Sequence, residues 1–403
     1  MNVVIIGAGQ AAATLGCKLR ELGFSGGITL IGEEAYYPYQ RPPLSKKFLK
    51  GSASMDDLLI RETGYYAQQK IAVQLNTSVQ SIDAANKILL TAQGQQVAYD
   101  KLVLATGATP RHLPQEELMH CENVLTFRGL DDCQALAAYM QPQKTMCIIG
   151  GGYIGLELAA VARGQGMNVV VLERESRILQ RVACEETAEY VTRYHRENQV
   201  TILTNENVAH YALEGQCVER LYLQSGRQVD VDVVVVGIGV LPNSVLAEEA
   251  GMELALSAVR VNHRCQTSAE HIYAIGDCSS FSFNGRMIRL ESVQNALEQA
   301  EIVAQDIIGN MREYQPKPWF WSDQGSLKIQ IAGLAYDYNC VISRVSKSDN
   351  NASFWYFNDD VLIAVDAIND AKAFMLGRKF VGQIIMNKQA LADGSQALKS
   401  ILL

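Results

Sequence analysis

The stretch MCIIGGGYIGLELAAVARGQGMNVVVLE, residues 146–173, leads from a short apolar segment through a glycine-rich turn into a small-residue helix pattern and a second β-branched segment. This order predicts a β–turn–α–β unit whose turn can bind a phosphate at the helix N-terminus. The same order occurs at the start of the chain, where NVVII (2–6) precedes GAGQAA and ITLI (28–31) follows a helix pattern. Two copies of this unit predict two dinucleotide-binding domains in one polypeptide.

The composition is that of an ordinary globular chain. The protein has 403 residues, of which 48% are hydrophobic and 19% are charged, and its formal net charge is −8. No apolar run reaches the roughly 18 residues of a membrane-spanning helix. A protein that binds nucleic acid or an anionic membrane typically carries a net positive charge or a basic patch, and the net charge here is negative. We therefore expect neither partner.

Cysteines and histidines give no metal-binding pattern. Nine cysteines and six histidines are scattered through the chain without C-x-x-C or H-E-x-x-H spacing. Such spacing is what a dithiol or zinc site requires. We therefore predict no metal, free buried thiols and a location in the reducing cytoplasm.

The remaining pattern predicts a third domain. Two further buried-strand candidates, KLVLA (101–105) and VDVVVV (231–236), each lead directly into glycine. After a proline-containing linker at 312–320, alternating apolar segments and the turn FNDDV indicate antiparallel strands with a helix. The predicted fold class is α/β, with two Rossmann-like domains and a C-terminal α+β domain. The predicted boundaries are 1–108 with 242–317 for the first nucleotide domain, 109–241 for the second and 318–403 for the third.

The first glycine loop has the G-x-G-x-x-G/A spacing at Gly7, Gly9 and Ala12. In this pattern the first glycine permits the tight turn, the second lets the backbone approach a pyrophosphate, and the third position keeps the helix close to the sheet. Glu33 closes the following strand and can accept ribose hydroxyls. The alternative is that Glu33 is only a solvated loop acid.

The second loop, GGGYIG (150–155), is followed by Glu173 at the end of the next strand. A carboxylate there hydrogen-bonds a free ribose 2′-hydroxyl and repels a 2′-phosphate, which favours NADH over NADPH. The nearby Arg174 and Arg177 argue in the opposite direction, because arginine binds a 2′-phosphate. Two such loops predict two bound dinucleotides. An enzyme with a flavin in one site and a nicotinamide in the other can pass a hydride between them without a catalytic side chain.

Seven segments in order resemble the three-domain FAD-dependent pyridine nucleotide reductases of the glutathione-reductase class. The likeness is greatest to the NADH-dependent ferredoxin reductases that serve bacterial P450 and Rieske-type oxygenases. These segments are QRPPLSK (40–46), LVLATGATP (102–110), GGGYIGLELAA (150–160), VVGIGVLPN (235–243), IYAIGDC (272–278), RLESVQNALEQA (289–300) and PWFWSDQ (318–324). The segment GEEAYYPYQRPPLSKK contains no cysteine, unlike the disulfide reductases, NADH oxidases and peroxidases of the class.

The resemblance implies specific cofactor-binding residues. Those implied for FAD are Gly7, Gly9, Ala11, Ala12, Glu33, Arg41, Lys46, Val79, Ala105, Thr106, Gly107, Arg128, Gly276, Asp277, Ser292, Val293 and Trp321. Those implied for NADH are Gly150, Gly152, Tyr153, Ile154, Gly155, Glu157, Glu173, Gly237, Ile238 and Gly239. An ion pair between Lys46 and Glu157 is expected at the hydride-transfer site, although a plain buried pair is the alternative. Trp321 is expected on the ferredoxin side of the flavin, with core packing as its alternative.

The resemblance also implies the reaction and the partner. We expect electrons to pass from NADH through FAD, one at a time, to a [2Fe–2S] ferredoxin that supplies an oxygenase, as in aromatic hydrocarbon catabolism. The alternatives are a rubredoxin reductase or NADH oxidase on the same scaffold, and an apoptosis-inducing-factor-like flavoprotein whose main role is binding. A monomer or a homodimer is expected.

Overall fold

A computed structural model describes residues 1–346 and 350–402. Its strands in chain order are β1 Asn2–Ile6, β2 Gly27–Ile31, β3 Ile71–Gln74, β4 Val79–Asp83, β5 Ile88–Thr91, β6 Gln96–Ala98, β7 Lys101–Leu104, β8 Ala108–Pro110, β9 Val124–Thr126, β10 Thr145–Ile149, β11 Asn168–Glu173, β12 Val200–Thr204, β13 Val208–Glu214, β14 Cys217–Leu223, β15 Gln228–Asp230, β16 Val233–Val236, β17 Val240–Pro242, β18 Leu254–Ala255, β19 Ala258–Arg260, β20 Ile272–Ala274, β21 Ser279–Phe283, β22 Arg286–Ile288, β23 Trp319–Gln324, β24 Leu327–Gly333, β25 Cys340–Val345, β26 Ala352–Asn358 and β27 Val361–Ile368.

The helices lie between these strands. They are α1 Gln10–Glu21, α2 Thr63–Gln68, α3 Leu130–Ala137, α4 Tyr153–Gly164, α5 Glu185–Glu197, α6 Val245–Glu249, α7 Val293–Ile307, α8 Ala371–Phe380 and α9 Leu398–Leu402. Short helical turns occur at Leu44–Phe48, Asp56–Leu58, Glu116–His120, Gly276–Cys278 and Lys388–Ala392. Within the described ranges, no helix has the length and apolar character that a membrane span requires.

The described residues divide into two compact units. The first consists of Met1–Arg41, Ala53–Thr109 and Val240–Pro316, and the second of Pro42–Ser52, Pro110–Gly239 and the described residues from Lys317 onward. The three domain boundaries predicted from the sequence divide the chain more finely and remain a prediction. Their C-terminal limit, residue 403, lies outside the described residues.

A parallel sheet forms the centre of the first unit. Its strand order is β20-β7-β1-β2-β3, and β1 pairs with β2 from Asn2↔Gly27 onward. The strands are short and apolar because helices cover the sheet. Helices α1 and α7 pack against each other, and Leu15, Leu19 and Val303 are buried together with Ile5. The carboxyl end of β1 thus leads directly into the first glycine loop.

The second unit contains a second parallel sheet of the same kind. Its strand order is β12-β11-β10-β16-β9. All four valines of β16 are at most 1% exposed, as the continuous apolar run VVVV predicts for a strand covered on both faces. Helix α4 packs against β10 and β11 and, on another side, against β23. The two predicted Rossmann-like repeats are therefore present.

The C-terminal residues of the second unit form an antiparallel sheet with the order β23-β24-β27-β26-β25. Strands β26 and β27 are joined by the predicted FNDDV turn, in which Asp359 adopts a φ of 51°. Helix α8 packs on β24 and β27. Trp355, Phe357 and Val365 are fully buried in the core between the sheet and the helix.

A buried carboxylate on β27 connects this sheet to helix α5. Asp366 is 1% exposed and accepts hydrogen bonds from the Tyr356 hydroxyl and, at 2.8 Å, from Thr187 Oγ1. The Tyr356 hydroxyl in turn accepts the backbone N–H of Cys184, the N-cap of α5, at 2.9 Å. Burial raises the pKa of Asp366 to about 6, while the two hydroxyl donors act against that shift.

We expect Asp366→Asn to change how stability depends on pH. A carboxyl whose pKa is raised in the folded state contributes stability that is present below its ordinary pKa and lost as pH rises through about 6. The midpoint of thermal unfolding of the wild type, followed by circular dichroism, should therefore fall relative to that of the variant between pH 4.5 and pH 8. The free energy of unfolding of the wild type should fall relative to that of the variant by on the order of 2 kcal/mol over this pH range.

The control for this comparison is Asp360→Asn. Asp360 lies in the same hairpin, but its side chain is 60% exposed and pairs with Lys388 at 2.8 Å. The unfolding midpoint of Asp360→Asn should depend on pH in the same way as that of the wild type. Parallel curves for Asp366→Asn and the wild type would show that Asp366 titrates as it does in the unfolded chain.

Candidate functional site

The first glycine loop joins β1 to α1 within the first unit. Gly7 has a φ of 118°, and a Cβ atom there would lie 2.2 Å from the carbonyl oxygen of Ala105. No other residue fits that position. Gly9 is the N-cap of α1, and a Cβ atom there would meet no protein atom within 4 Å. Packing therefore requires glycine at Gly7, whereas at Gly9 glycine leaves the backbone open to a ligand.

Acidic residues follow the second strand of the first unit. Glu33 is exposed, and its Oε1 accepts a hydrogen bond from Ser78 Oγ at 3.1 Å. The adjacent Glu34 forms an ion pair with Arg41 and accepts the Tyr39 hydroxyl at 2.6 Å. Sequence reasoning identified Glu33 and Arg41 and missed Glu34, because nothing in the sequence indicates which of the two adjacent glutamates contacts the guanidinium.

The predicted residues Arg41 and Asp277 lie close enough to interact electrostatically. Burial lowers the pKa of Arg41, but the charges of Tyr39, Glu34 and Asp277 outweigh burial, so the pKa lies above its ordinary value. Asp277 belongs to the short turn Gly276–Cys278 after β20. The structure thus brings Arg41 close to Asp277 of the IYAIGDC segment within the first unit.

Two side-chain amides that sequence reasoning missed, the partly buried Asn243 and the buried Gln299, hold the predicted turns. Asn243 Nδ2 donates to the carbonyl of Thr106 at 2.9 Å, and Thr106 Oγ1 donates to the carbonyl of Asn243 at 2.6 Å. The N–H of Gly276 donates to Gln299 Oε1 at 2.7 Å. Both amides lie in segments that carry the resemblance, Asn243 in VVGIGVLPN and Gln299 in RLESVQNALEQA. Nothing in the sequence indicates which backbone groups they bind.

Other predicted FAD residues of the first unit lie at the ends of elements. Ser292 is the N-cap of α7, and its hydroxyl accepts the N–H of Asn295. Val293 is the first residue of that helix and is half-buried, as is Val79, the first residue of β4. Ala11 lies on α1, and a Cβ atom on Gly276 would lie 3.4 Å from the Cβ of Ala11. The roles of these residues toward FAD stay predictions.

The second glycine loop repeats the geometry of the first one. Gly150 has a φ of 115°, and a Cβ atom there would lie 2.3 Å from the carbonyl oxygen of Gly237. Gly152 is the N-cap of α4, and a Cβ atom there would meet nothing within 4 Å. At Gly155 a Cβ atom would lie 2.5 Å from the carbonyl oxygen of Gly150. The third glycine therefore allows the close approach of helix and loop.

Glu173 is bound to the second loop itself. Its Oε2 accepts the N–H of Gly151 at 2.8 Å, and its Oε1 accepts the N–H of Glu175 at 2.9 Å. A carboxylate has capacity for further hydrogen bonds beyond these two. The two neighbouring arginines have other partners: Arg174 pairs with Glu175 at 2.9 Å, and Arg177 donates to the carbonyl of Ala183 at 2.9 Å.

Of the other predicted NADH residues, Tyr153 and Ile154 open α4, and Ile154 is 44% exposed. Gly237, Ile238 and Gly239 follow β16, and Gly239 has a φ of 106°. The guanidinium of Arg181 lies 3.6 Å from where a Cβ atom of Gly239 would be. Sequence reasoning missed this arginine because it lies far along the chain from that glycine.

The ion pair between Lys46 and Glu157 is present within the second unit. Lys46 Nζ lies 2.6 Å from Glu157 Oε2, and the two side chains are 18% and 5% exposed. The same oxygen accepts Ser45 Oγ at 2.5 Å, and Glu157 Oε1 accepts Ser322 Oγ at 2.7 Å. Burying a carboxylate is costly unless it is paired and hydrogen-bonded, and this one has three donors. Whether the pair acts in hydride transfer stays a prediction.

The aromatic residues of β23 form a cluster. The rings of Trp319 and Trp321 are stacked with centroids 5.5 Å apart. Trp319 also packs edge-on against Phe374 of α8, with centroids 5.9 Å apart, and Arg378 lies 5.3 Å above its ring. Arg128 precedes α3, and its backbone N–H donates to Asp132 at 2.7 Å. The flavin-side roles of Trp321 and Arg128 stay predictions.

The residues present fit two dinucleotides. Each loop combines one glycine that packing requires with an N-cap glycine whose surroundings are open, followed by a twelve-residue helix. Backbone N–H groups at a helix N-terminus bind phosphate oxygens. No cluster of His, Cys, Asp and Glu suited to a metal occurs among residues 1–346 and 350–402. All nine cysteines are free, and burial raises the pKa of Cys133 and Cys147 to about 12.

Comparison with known proteins supports the same assignment. The family model described as pyridine nucleotide-disulphide oxidoreductase matches residues 1–300, and the reductase C-terminal model matches residues 319–402. The chain is 34% identical to putidaredoxin reductase CamA of Pseudomonas putida over 100% of this chain and 96% of that protein. It is 35% identical to the ferredoxin--NAD(+) reductase component of the p-cumate 2,3-dioxygenase system of Pseudomonas putida, covering 99% of this chain and 98% of that protein.

A solved structure has the same fold over nearly the whole chain. It is the covalent putidaredoxin reductase–putidaredoxin complex, in which the reductase superposes with a TM-score of 0.95 at 34% identity, covering 99% of this chain and 97% of that chain. The predicted fold class, the predicted resemblance and the predicted oxidoreductase class are confirmed. The chain therefore belongs to the pyridine nucleotide-disulphide oxidoreductase family and carries a reductase C-terminal domain.

Proposed function

We propose that this protein is an NADH-dependent reductase that carries FAD and passes electrons one at a time to a [2Fe–2S] ferredoxin, which supplies an oxygenase. The observation that carries the proposal is the pair of glycine loops, in which Gly9 and Gly152 are open while Gly7 and Gly150 are enclosed by backbone. The similarity to ferredoxin reductases of oxygenase systems supports the choice of acceptor. When bound, FAD would supply the chemistry that takes up a hydride and gives out single electrons.

The chain's own residues bind and orient the two cofactors in this proposal. The N-termini of α1 and α4 bind pyrophosphate groups, and Glu33 and Glu173 accept ribose hydroxyls. The Lys46–Glu157 pair orders the hydride-transfer site. The free thiols fit an enzyme of the reducing cytoplasm that transfers electrons without a redox disulfide.

The proposal is tested with purified protein reconstituted with FAD. We expect a yellow protein that NADH bleaches in a stopped-flow experiment, and cytochrome c reduction that depends on an added [2Fe–2S] ferredoxin. A protein that stays colourless after reconstitution would exclude the flavin. Equal electron transfer to oxygen, to a disulfide or to rubredoxin without a ferredoxin would favour the other enzymes of this scaffold. Slow NADH oxidation with a long-lived charge-transfer absorbance would favour an apoptosis-inducing-factor-like binding protein.

We expect the Lys46–Glu157 pair to act as a unit in hydride transfer. Lys46→Met and Glu157→Gln should each slow the bleaching of the flavin by NADH, and the double variant should be slowed by less than the product of the two single effects. The coupling should be on the order of 1–3 kcal/mol, as for side chains in direct contact. Strictly multiplicative effects would show that the pair has no joint role.

NADH is the proposed donor because Arg174 and Arg177 are engaged elsewhere, while Glu173 faces the loop. We expect Glu173→Gln to lower the preference for NADH over NADPH, measured as the ratio of kcat/KM values, by about 10-fold, because it removes the charge that repels a 2′-phosphate. Glu173→Ala separates this effect from loop binding, since it also removes the acceptor of the Gly151 N–H. An unchanged ratio in Glu173→Gln would contradict the role of Glu173.

A further inference from the structure

A chain of buried hydrogen bonds leads from helix α5 to Glu157 within the second unit. His195 Nε2 lies 2.7 Å from Gln324 Oε1, and Gln324 Nε2 lies 3.2 Å from Ser322 Oγ. Ser322 Oγ donates to Glu157 Oε1 at 2.7 Å. His195, Gln324 and Ser322 are all 0% exposed. None of these three residues is among the site residues predicted from the sequence.

Chemistry sets the direction of each bond in the chain. A carboxylate oxygen accepts hydrogen bonds and cannot donate, so the Ser322 hydroxyl donates its hydrogen to Glu157. In the bond between Ser322 and Gln324, the hydroxyl oxygen is therefore the acceptor and Nε2 is the donor. The amide oxygen of Gln324 then faces His195, whose Nε2 must carry the hydrogen. His195 Nδ1 has no hydrogen-bond partner among the described residues, and burial lowers the pKa of His195. A neutral Nε2–H histidine therefore fits the chain.

The chain divides the two oxygens of Glu157 between different partners. Among the described residues, Oε1 accepts a hydrogen bond from Ser322 alone, whereas Oε2 accepts hydrogen bonds from Ser45 and Lys46. Ser322 and Lys46 therefore bind different oxygens of the same carboxylate. On β23, Ser322 and Gln324 lie on one face, and Trp319 and Trp321 lie on the opposite one.

We propose that Ser322, Gln324 and His195 are positioning residues that hold the Glu157 carboxylate toward Lys46, so that the rate of hydride transfer depends on the intact chain. This inference rests on the proposed function, because it concerns the same hydride-transfer site. Directed hydrogen bonds specify one position for a buried carboxylate more strictly than apolar packing does. Here each polar atom between Glu157 and His195 Nε2 has a partner in one consistent direction.

The first test measures flavin bleaching by saturating NADH in the FAD-reconstituted protein. We expect Ser322→Ala to slow the bleaching by about 10-fold with little change in the NADH concentration at half-saturation, because a misplaced group affects the reacting geometry rather than binding. The matched control is Ser353→Ala. Ser353 is also 0% exposed in the same sheet, but its hydroxyl accepts a hydrogen bond from Trp355 Nε1 at 3.0 Å. It is not part of the hydrogen-bond chain from His195 to Glu157. The control should keep the wild-type rate.

The second test uses Gln324→Glu, which keeps the shape of the side chain. An ionised glutamate cannot donate to Ser322, whereas a protonated one donates through its O–H and accepts from His195 through its carbonyl. The bleaching rate of this variant should therefore rise toward the wild-type value as pH falls, while the wild type lacks this rise. A rate that is equally low at every pH would contradict the proposal.

The third test does not depend on turnover. In protein labelled with ¹⁵N-histidine, the His195 signals, assigned with His195→Gln, should show the Nε2–H tautomer, and Ser322→Ala and Glu157→Gln should shift them. The opposite tautomer in the wild type would overturn the proposal whether or not the variants fold well. His195 signals that neither variant moves would also overturn it.

The outcomes separate the inference from the function on which it rests. If the FAD-loaded wild type is not bleached by NADH, the proposed function fails and the positioning role fails with it. If the wild type is bleached and Ser322→Ala is bleached equally fast, only the positioning role fails.

Discussion

The second unit depends on one buried carboxylate. Glu157 lies on α4, one turn after the first residue of that helix, and is 4% exposed. A charge in such a place is tolerated only when it is fully hydrogen-bonded. Its donors come from separate parts of the unit: Ser45 and Lys46 from the Pro42–Ser52 segment and Ser322 from β23. Satisfying this one group therefore fixes where those segments meet the helix.

The antiparallel sheet has a second polar connection, to helix α5 of the same unit. Asp366 on β27 binds Thr187 of α5 directly and Cys184 through Tyr356. His195 lies near the end of the same helix and binds Gln324 of β23. Helix α5 thus contacts the antiparallel sheet through polar bonds near both of its ends. Directional bonds of this kind define one relative arrangement, which apolar packing alone specifies less strictly.

The elements that the sequence predicted well are those in which local pattern and tertiary structure agree. The β–turn–α–β repeats, the buried run VVVV and the FNDDV turn follow from side-chain period and turn chemistry, so they were readable without knowledge of contacts. The enclosed glycines Gly7 and Gly150 were identified by spacing, and the structure supplies the reason, a carbonyl oxygen within 2.3 Å of any added Cβ atom. The Lys46–Glu157 pair was expected only through resemblance, because 111 positions separate the two residues.

Sequence alone is enough to establish the number and order of the nucleotide loops, the family and the absence of a cysteine from GEEAYYPYQRPPLSKK. Those properties depend on residues that are close together along the chain, where spacing and identity suffice. Contacts made in the fold, by contrast, establish that Glu34 rather than Glu33 pairs with Arg41 and that Glu173 is bound to its own loop. They also establish that His195, Gln324 and Ser322 form a directed series of hydrogen bonds to Glu157. The physical reason is that a hydrogen bond depends on distance and direction in space, and folding sets both between residues that are remote in sequence.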